Sequence, residues 1–214
     1  MNSFIEHTLQ KMPIVDYATI KSILIKNKYK SINDKISYMK QKGLLYTLKK
    51  GLYVYNSPYA KTLVSKEIIA NNIYGPSYIS YDYALSYHGL IPERVSEITS
   101  ATTKHAKKFS NKYGFFSFKH IKKELFALGV NILETKQGNF MIASAEKALC
   151  DKIYTTKALN IRSKKAMLEY LIDNLRIDVD ELDLFDINIV REYINITKST
   201  RIKFLYKVLQ EGIR

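Results

Sequence analysis

Nine polar and basic side chains within the first 56 residues are spaced so that they could contact nucleic acid. Four lysines stand beside predicted turns, where flexible ammonium groups can neutralise phosphates: Lys28, Lys30, Lys49 and Lys50. Five more residues fall on or beside the outer face of one predicted helix and can hydrogen-bond base edges or phosphates: Asn33, Ser37, Tyr38, Gln41 and Lys42. These residue types favour binding over catalysis.

Three short helices followed by a β-hairpin are predicted to position these side chains. Apolar residues recur at helical spacing in residues 5–12, 20–24 and 32–39. The stretch LLYTLKKGLYVY (44–55) then predicts two strands that reverse at Lys49-Lys50-Gly51. This order is typical of a winged helix-turn-helix, whose third helix enters the major groove of DNA. We therefore expect such a domain in residues 1–56.

The third helix carries one residue that counts against tight phosphate contact. With Ile32, Ile36 and Met39 facing inward, the acid Asp34 lies on the outer face among the candidate base readers. An acid can still accept a hydrogen bond from cytosine. The alternative interpretation is a small helical domain with a solvated lysine face, or a module that docks another protein.

The basic charge of the chain is concentrated near its N-terminus. The net charge is +14, and residues 1–56 carry ten Lys or Arg against three Asp or Glu. Residues 161–214 carry ten against nine and are nearly neutral. An acidic partner such as double-stranded DNA suits this distribution.

Cysteine content and hydropathy bear on the compartment. Cys150 is the single cysteine, which excludes an internal disulfide and fits a reducing cytoplasm. No run approaches 18 apolar residues, so no membrane span is expected, and no secretion signal is evident. We expect a cytoplasmic protein without a membrane partner.

Residues 57–214 are predicted to form a mixed α/β domain, so that the whole chain is α+β. Alternating runs predict five strands: Ser96–Thr103, Lys107–Ser110, Tyr113–Ile121, Val130–Thr135 and Phe140–Ala143. From about residue 161 the chain predicts three helices capped by Ser163, Asp186 and Ser199, which should cover the sheet. The acidic stretch DVDELDLFD (178–186) is predicted to be a solvated connector, or a docking face for a basic partner.

The stretch GPSYISYDYALSYHGLIPE (75–93) combines four tyrosines, a histidine and acids. No nucleophile, base and orienting group are spaced together there, which argues against an active site. Helical spacing of Tyr81, Leu85 and His88 instead favours a packed framework. A stacking surface for single-stranded nucleic acid is the alternative.

Two other features concern charged pairs. Lys147 and Asp151 are four residues apart in a predicted helix and should pair weakly, contributing about 0.3 kcal/mol. Glu134-Thr135-Lys136 has the acid–any–lysine spacing of metal-dependent nucleases, but no aspartate lies between Asp82 and Asp151 to share the metal.

The histidines are scattered, so we expect no metal, no cofactor and no enzymatic activity.

Several motifs together resemble one known family. KKGLYVYN (49–56), GPSYISYDYALSYHGLIPE (75–93), EITSATTK (97–104), GFFSFKHI (114–121) and AEKALCDKIY (145–154) follow one another as in the AbiEi family. These proteins are antitoxins of bacterial type IV toxin–antitoxin and abortive phage-infection systems. The resemblance covers about residues 10–160, and the stretch beyond shows no distinctive motif.

The resemblance implies a function and two partners. An N-terminal winged helix-turn-helix would repress the chain's own promoter at inverted repeats. The C-terminal domain would oppose a cognate AbiEii-type nucleotidyltransferase toxin, directly or indirectly. A stand-alone transcriptional regulator without a toxin, and a nuclease using Glu134 and Lys136, are the alternatives left open.

Overall fold

The computed structural model describes residues 3–56 and 64–211, which form a mixed α+β protein with two sheets. The first part of the chain contains six elements: α1 (Ser3–Gln10), β1 (Ile14–Asp16), α2 (Tyr17–Lys26), α3 (Ile32–Gln41), β2 (Leu45–Lys49) and β3 (Leu52–Tyr55). The predicted start of a second unit at Ser57-Pro58 lies outside the described residues.

Apolar periodicity and capping account for the helices of this first part. Ile20 and Leu24 of α2, and Ile36 and Met39 of α3, are buried in one cluster with α1. The Asp16 carboxylate accepts a hydrogen bond from the Thr19 backbone nitrogen at 2.7 Å and so caps α2. Ser31 occupies the N-cap position of α3 but makes no side-chain capping bond.

The sequence did not predict strand β1. It pairs antiparallel with β3, so the three strands lie in the order β1-β3-β2. Three residues are too few to show an alternating pattern, and β1 is defined by backbone bonds to a strand far along the chain. The predicted hairpin β2–β3 is confirmed, with its reversal at Lys50-Gly51.

Both faces of this small sheet are covered. Leu45 and Tyr55 pack with the helices of the first part of the chain. On the opposite face, Leu48 and Val54 belong to the hydrophobic core of the rest of the protein. The Asn111 amide also donates to the Leu48 carbonyl oxygen at 3.2 Å. The sheet therefore joins the two cores.

The second sheet has six strands in the order β6-β7-β5-β4-β9-β8. Its strands are β4 (Ser77–Ile79), β5 (Ile98–Thr102), β6 (Lys107–Asn111), β7 (Gly114–His120), β8 (Val130–Thr135) and β9 (Gly138–Ala143). Two parallel pairings, β5 with β7 and β4 with β9, combine with antiparallel ones into a mixed sheet. The five predicted strands are confirmed.

Helices lie against this sheet and against one another. They are α4 (Lys66–Ile73), α5 (Tyr81–Tyr87), α6 (Ala145–Thr155), α7 (Lys164–Glu169), α8 (Val179–Leu182), α9 (Ile187–Thr197) and α10 (Thr200–Glu211). The predicted caps Ser163 and Asp186 accept hydrogen bonds from backbone nitrogens in the first turns of α7 and α9. The acidic stretch 178–186 contains the short helix α8, where the sequence predicted a solvated connector or a docking face. No helix in the described part of the chain is both long and apolar enough to span a bilayer.

Most of the tyrosine-rich stretch is a packed framework, as the spacing predicted. His88, the third residue of the predicted packed face, is instead exposed, and its Nε2 lies 2.8 Å from the Ala143 carbonyl oxygen. Tyr78 and Tyr81 are fully buried in the larger core. The Tyr83 hydroxyl donates to the Glu67 carboxylate, which ties α5 to α4. Tyr87 is the member of the stretch whose ring is half exposed.

The predicted Lys147–Asp151 pair is confirmed, but the weak contribution expected of a solvated pair was wrong, because both side chains are completely buried. The Lys147 ammonium lies 2.7 Å from Asp151 Oδ1, which also accepts from the Tyr193 hydroxyl at 3.0 Å. Asp151 Oδ2 accepts from the Tyr78 and Ser80 hydroxyls at 2.9 and 2.7 Å. The Asp151 carboxylate thus links β4, α6 and α9. Helix α9, one of the C-terminal helices, packs on α6.

Candidate nucleic-acid interface

Helices α2 and α3 are joined by the polar turn Asn27–Ser31. The Asn27 side chain donates to the Ile23 carbonyl oxygen at 2.8 Å, which closes the end of α2. Lys28 then adopts a left-handed backbone conformation with φ of 62°, which reverses the chain. Lys28 and Lys30 are both exposed on this turn.

The outer face of α3 presents the predicted base-reading candidates to solvent. Ser37, Tyr38, Gln41 and Lys42 are exposed, and Tyr38 is 47% exposed despite its large ring. They lie opposite the buried Ile36 and Met39, which anchor the helix. The exposed Tyr38 ring thus lies beside the Gln41 amide, the Ser37 hydroxyl and the Lys42 ammonium. Such a surface can bind a planar partner that carries polar groups.

Asn33 is oriented by a neighbour that the sequence did not reveal. Its Oδ1 accepts a hydrogen bond at 2.9 Å from the hydroxyl of Tyr17, the first residue of α2. A carbonyl oxygen has two acceptor sites, so the bond occupies one and fixes the direction of the amide. Asn33 is therefore pre-oriented on the exposed first turn of α3.

Lys35 is a further cation at this surface that the sequence did not single out. Its ammonium lies 5.0 Å from the centre of the Tyr29 ring and 4.8 Å from that of Tyr38. Cation–π contacts of this kind hold a lysine stem in place while keeping its charge near the surface. Helical spacing places Lys35 between the apolar and polar faces of α3, so the sequence does not show that it belongs to this surface. The contacts of its ammonium with the two rings do show it.

Lys49 does not lie where the sequence predicted. Its ammonium donates to the Ile73 carbonyl oxygen at 2.6 Å, at the end of α4, instead of projecting outward from the hairpin. Burial lowers the pKa of Lys49, and Lys107 and Lys104 add repulsion. The predicted role of Lys49 as a phosphate contact was therefore wrong. The adjacent Lys50 is exposed at the hairpin tip.

The nuclease-like motif Glu134-Thr135-Lys136 lies at an edge of the larger sheet. Glu134 and Lys136 are exposed on and just beyond the edge strand β8. Among residues 3–56 and 64–211, no three His, Cys, Asp or Glu side chains lie together as potential metal ligands. The buried Cys150 has a raised pKa because of its burial, so its thiol is not an activated nucleophile.

Comparison with protein-family models finds none that matches this chain, and comparison with curated proteins finds no match either. The resemblance to the AbiEi family therefore stays a prediction from the motifs quoted above.

Proposed function

We propose that residues 1–56 form a winged helix-turn-helix that binds double-stranded DNA, with α3 in the major groove. The observation that carries this proposal is the exposed polar face of α3, held by Ile36 and Met39 on a three-helix core beside a three-stranded sheet. A helix of ten residues anchored on one face and polar on the other has the dimensions that a major groove admits.

The exposed lysines supply the electrostatic part of this binding. Lys28, Lys30, Lys42 and Lys50 are exposed around α3 and at the hairpin tip, where they would contact phosphates. Lys35 extends the same basic surface beside Tyr38. The hairpin contacts DNA through its exposed tip, because most of its sheet is covered on both faces.

Base reading is assigned to the exposed side chains of α3. Gln41 can present both a donor and an acceptor to adenine, and Asn33 can do so within the orientation that Tyr17 imposes. Ser37 and Tyr38 add hydroxyl groups that reach either a base edge or a phosphate. Asp34 excludes phosphate from the first turn by charge repulsion and favours a cytosine amino group there.

Selection of bound duplexes from a random DNA library tests this proposal, followed by affinity measurements on two neighbouring variants. Gln41→Ala should lose about 1–3 kcal/mol on the selected sequence, with little loss on random DNA. Lys42→Ala should weaken binding to all sequences alike and flatten the salt dependence by about one unit. The two variants serve as controls for each other.

Two results would contradict the assignment. One is a library that yields no enriched sequence. The other is equal loss for Gln41→Ala on selected and on random DNA, which would show that α3 does not read bases. A protein-docking role for the same surface would then be the better interpretation.

We further propose, on the AbiEi resemblance alone, that the chain represses its own promoter at inverted repeats and opposes a nucleotidyltransferase toxin. Co-expression of the full chain with a nucleotidyltransferase encoded beside it tests the second role. Rescue of growth by the wild-type chain supports an antitoxin, and rescue by Gln41→Ala as well would separate antitoxicity from base reading. No rescue by the wild type favours a stand-alone regulator.

A further inference from the structure

Tyr17 connects three parts of the N-terminal region, although it does not belong to the outer face of α3. It is the first residue of α2, and the carboxylate of the preceding Asp16 caps that helix. Its backbone nitrogen donates to the Gly51 carbonyl oxygen at 2.9 Å, which fixes its position against the hairpin tip. Its ring packs against the hydrophobic cluster formed by α1, α2 and α3. The side chain is therefore anchored at its base and along its ring, and only its hydroxyl reaches α3.

The Tyr17 hydroxyl determines which end of the Asn33 amide is held. It donates to Asn33 Oδ1 at 2.9 Å, so Oδ1 lies on the side of Tyr17 and Nδ2 lies on the other side of the same planar group. Without this bond, a half-turn about the Cβ–Cγ bond would exchange the two atoms at little cost, because that torsion is broad and roughly two-fold in asparagine. The bond thus selects one of two orientations that are otherwise nearly equivalent.

Asn33 lies at the end of α3 that reads bases in helix-turn-helix proteins, where the N-terminal residues of the recognition helix contact base edges. It is the second residue of α3 and is exposed. Ser37 and Gln41 follow it at intervals of four residues and are exposed on the same side of the helix. Asn33 is therefore the first residue of the polar face that the proposed function places in the major groove.

The orientation of this amide matters because adenine and guanine differ at one position of their major-groove edge. Adenine presents a donor at N6 beside the acceptor N7, whereas guanine presents two acceptors, O6 and N7. An amide whose oxygen faces position 6 makes two hydrogen bonds with adenine, but with guanine it sets two acceptors against each other. A reversed amide instead donates to guanine O6. The pairing with adenine uses one acceptor site of Oδ1 and leaves the second site for the Tyr17 hydroxyl.

We propose that Tyr17 is a positioning residue, whose hydroxyl holds the Asn33 amide in the orientation that pairs with adenine and rejects guanine. The inference rests on the proposed DNA-binding function and adds to it one base and the residue that selects it. Tyr17 thereby contributes to sequence specificity from α2, outside the helix that reads the bases.

Asn33→Ala and Tyr17→Phe, each in the full-length chain, test this role on duplexes selected from a random library. Loss of preference at one base pair in Asn33→Ala identifies the pair that Asn33 reads. At that pair the wild-type chain should prefer adenine to guanine by about tenfold or more. Tyr17→Phe keeps the ring and removes the hydroxyl. It should reduce this ratio about fivefold, as loss of one hydrogen bond implies, and leave the preferences at other base pairs unchanged.

One double variant and two single variants supply the controls. Tyr17→Phe added to Asn33→Ala should have no further effect on base preference, because Tyr17 acts through Asn33. Gln41→Ala should alter a different base pair. Tyr53→Phe removes the hydroxyl of another tyrosine that packs on the same cluster, and it should leave every preference unchanged. Urea unfolding of each variant separates a change in stability from a change in preference.

The outcomes separate this inference from the proposed function. A wild-type chain that selects no sequence would overturn both. Guanine at the position that Asn33 reads, or an unchanged ratio in Tyr17→Phe, would overturn the role of Tyr17 and leave DNA binding by α3 intact. Equal weakening at all base pairs in Tyr17→Phe would also overturn that role, because the hydroxyl would then serve only the fold. So would an Asn33→Ala variant that retains every preference.

Discussion

The Lys49 ammonium donates a hydrogen bond to the Ile73 carbonyl oxygen at 2.6 Å, 24 residues along the chain. A cation at the last carbonyl groups of a helix is stabilised by their partial negative charge. The contact fixes the hairpin tip to the end of α4. It also gives adjacent lysines different roles, because Lys50 on the same tip is exposed.

Lys49→Met and Lys50→Met should therefore have opposite consequences. Lys49→Met should lower the free energy of unfolding by about 1–2 kcal/mol and leave the salt dependence of DNA binding unchanged, because its ammonium serves the fold. Lys50→Met should leave stability within about 0.5 kcal/mol and reduce the salt slope by about one unit. Urea unfolding and affinity measured at several salt concentrations distinguish them. A reduced salt slope in both variants would contradict the structural role of Lys49.

Removal of the Asp151 carboxylate should destabilise the protein strongly. Asp151→Asn leaves the buried Lys147 ammonium without its counter-charge, and such losses cost about 3–5 kcal/mol. The exposed pair Lys165–Glu169 on α7 is the matched control, and Glu169→Gln should change stability by less than about 0.5 kcal/mol. Similar urea midpoints for Asp151→Asn and Glu169→Gln would refute the argument.

The cap of α2 predicts a specific dependence of stability on pH. The pKa of Asp16 is lowered because its carboxylate accepts hydrogen bonds from Thr19. A lowered pKa in the folded state contributes stability above the unfolded value, 3.8, which is lost as pH falls through the folded value. Asp16→Ala should cost about 1 kcal/mol at pH 7. The difference from wild type should shrink below pH 3.8.

Asp16→Asn is the control for this pH dependence. Asparagine caps helices about as well as aspartate but does not titrate, so this variant should keep its cap at every pH. Thermal melts between neutral and strongly acidic pH provide the measurement. A gap between wild type and Asp16→Ala that stays constant down to the lowest pH would count against the capping bond.

Gly129 should tolerate a side chain less well than Gly89. Both have left-handed backbones, with φ of 61° and 75°, so alanine at either should cost roughly 1–2 kcal/mol. At Gly129 an added Cβ would also lie 2.9 Å from Lys147 Cβ and 3.1 Å from Ile189 Cγ2, whereas nothing lies within 4 Å at Gly89. Gly129→Ala should therefore lose about 1–3 kcal/mol more than Gly89→Ala in urea unfolding. Equal losses would mean that β8 and α9 shift apart without resistance.

The sequence predicted those parts of the fold that local patterns define. The strands of the larger sheet alternate in hydropathy, and the caps Ser163 and Asp186 precede apolar periods, so their places could be predicted. Strand β1 could not, because it is three residues long and exists only through its pairing with β3.

The sequence could not predict how deeply a side chain is buried or which distant part of the chain it contacts. The spacing of Lys147 and Asp151 shows that they are neighbours on a helix, but only the packing of β4 and α9 around them makes the pair buried. Lys49 and Lys50 are indistinguishable in the sequence, because the atom that separates them belongs to Ile73. The polar face of α3 follows from helical period alone, whereas the Tyr17 bond that orients Asn33 depends on how two helices cross.

The small sheet β1-β3-β2 limits how the chain can be dissected in the laboratory. A truncated fragment ending at residue 56 would expose Leu48 and Val54 to water, and a fragment lacking those residues would leave an uncovered hollow in the larger core. Both pieces would be prone to aggregation for reasons unrelated to their biological roles. Point substitutions in the intact chain are therefore the sounder way to assign activities to its two ends.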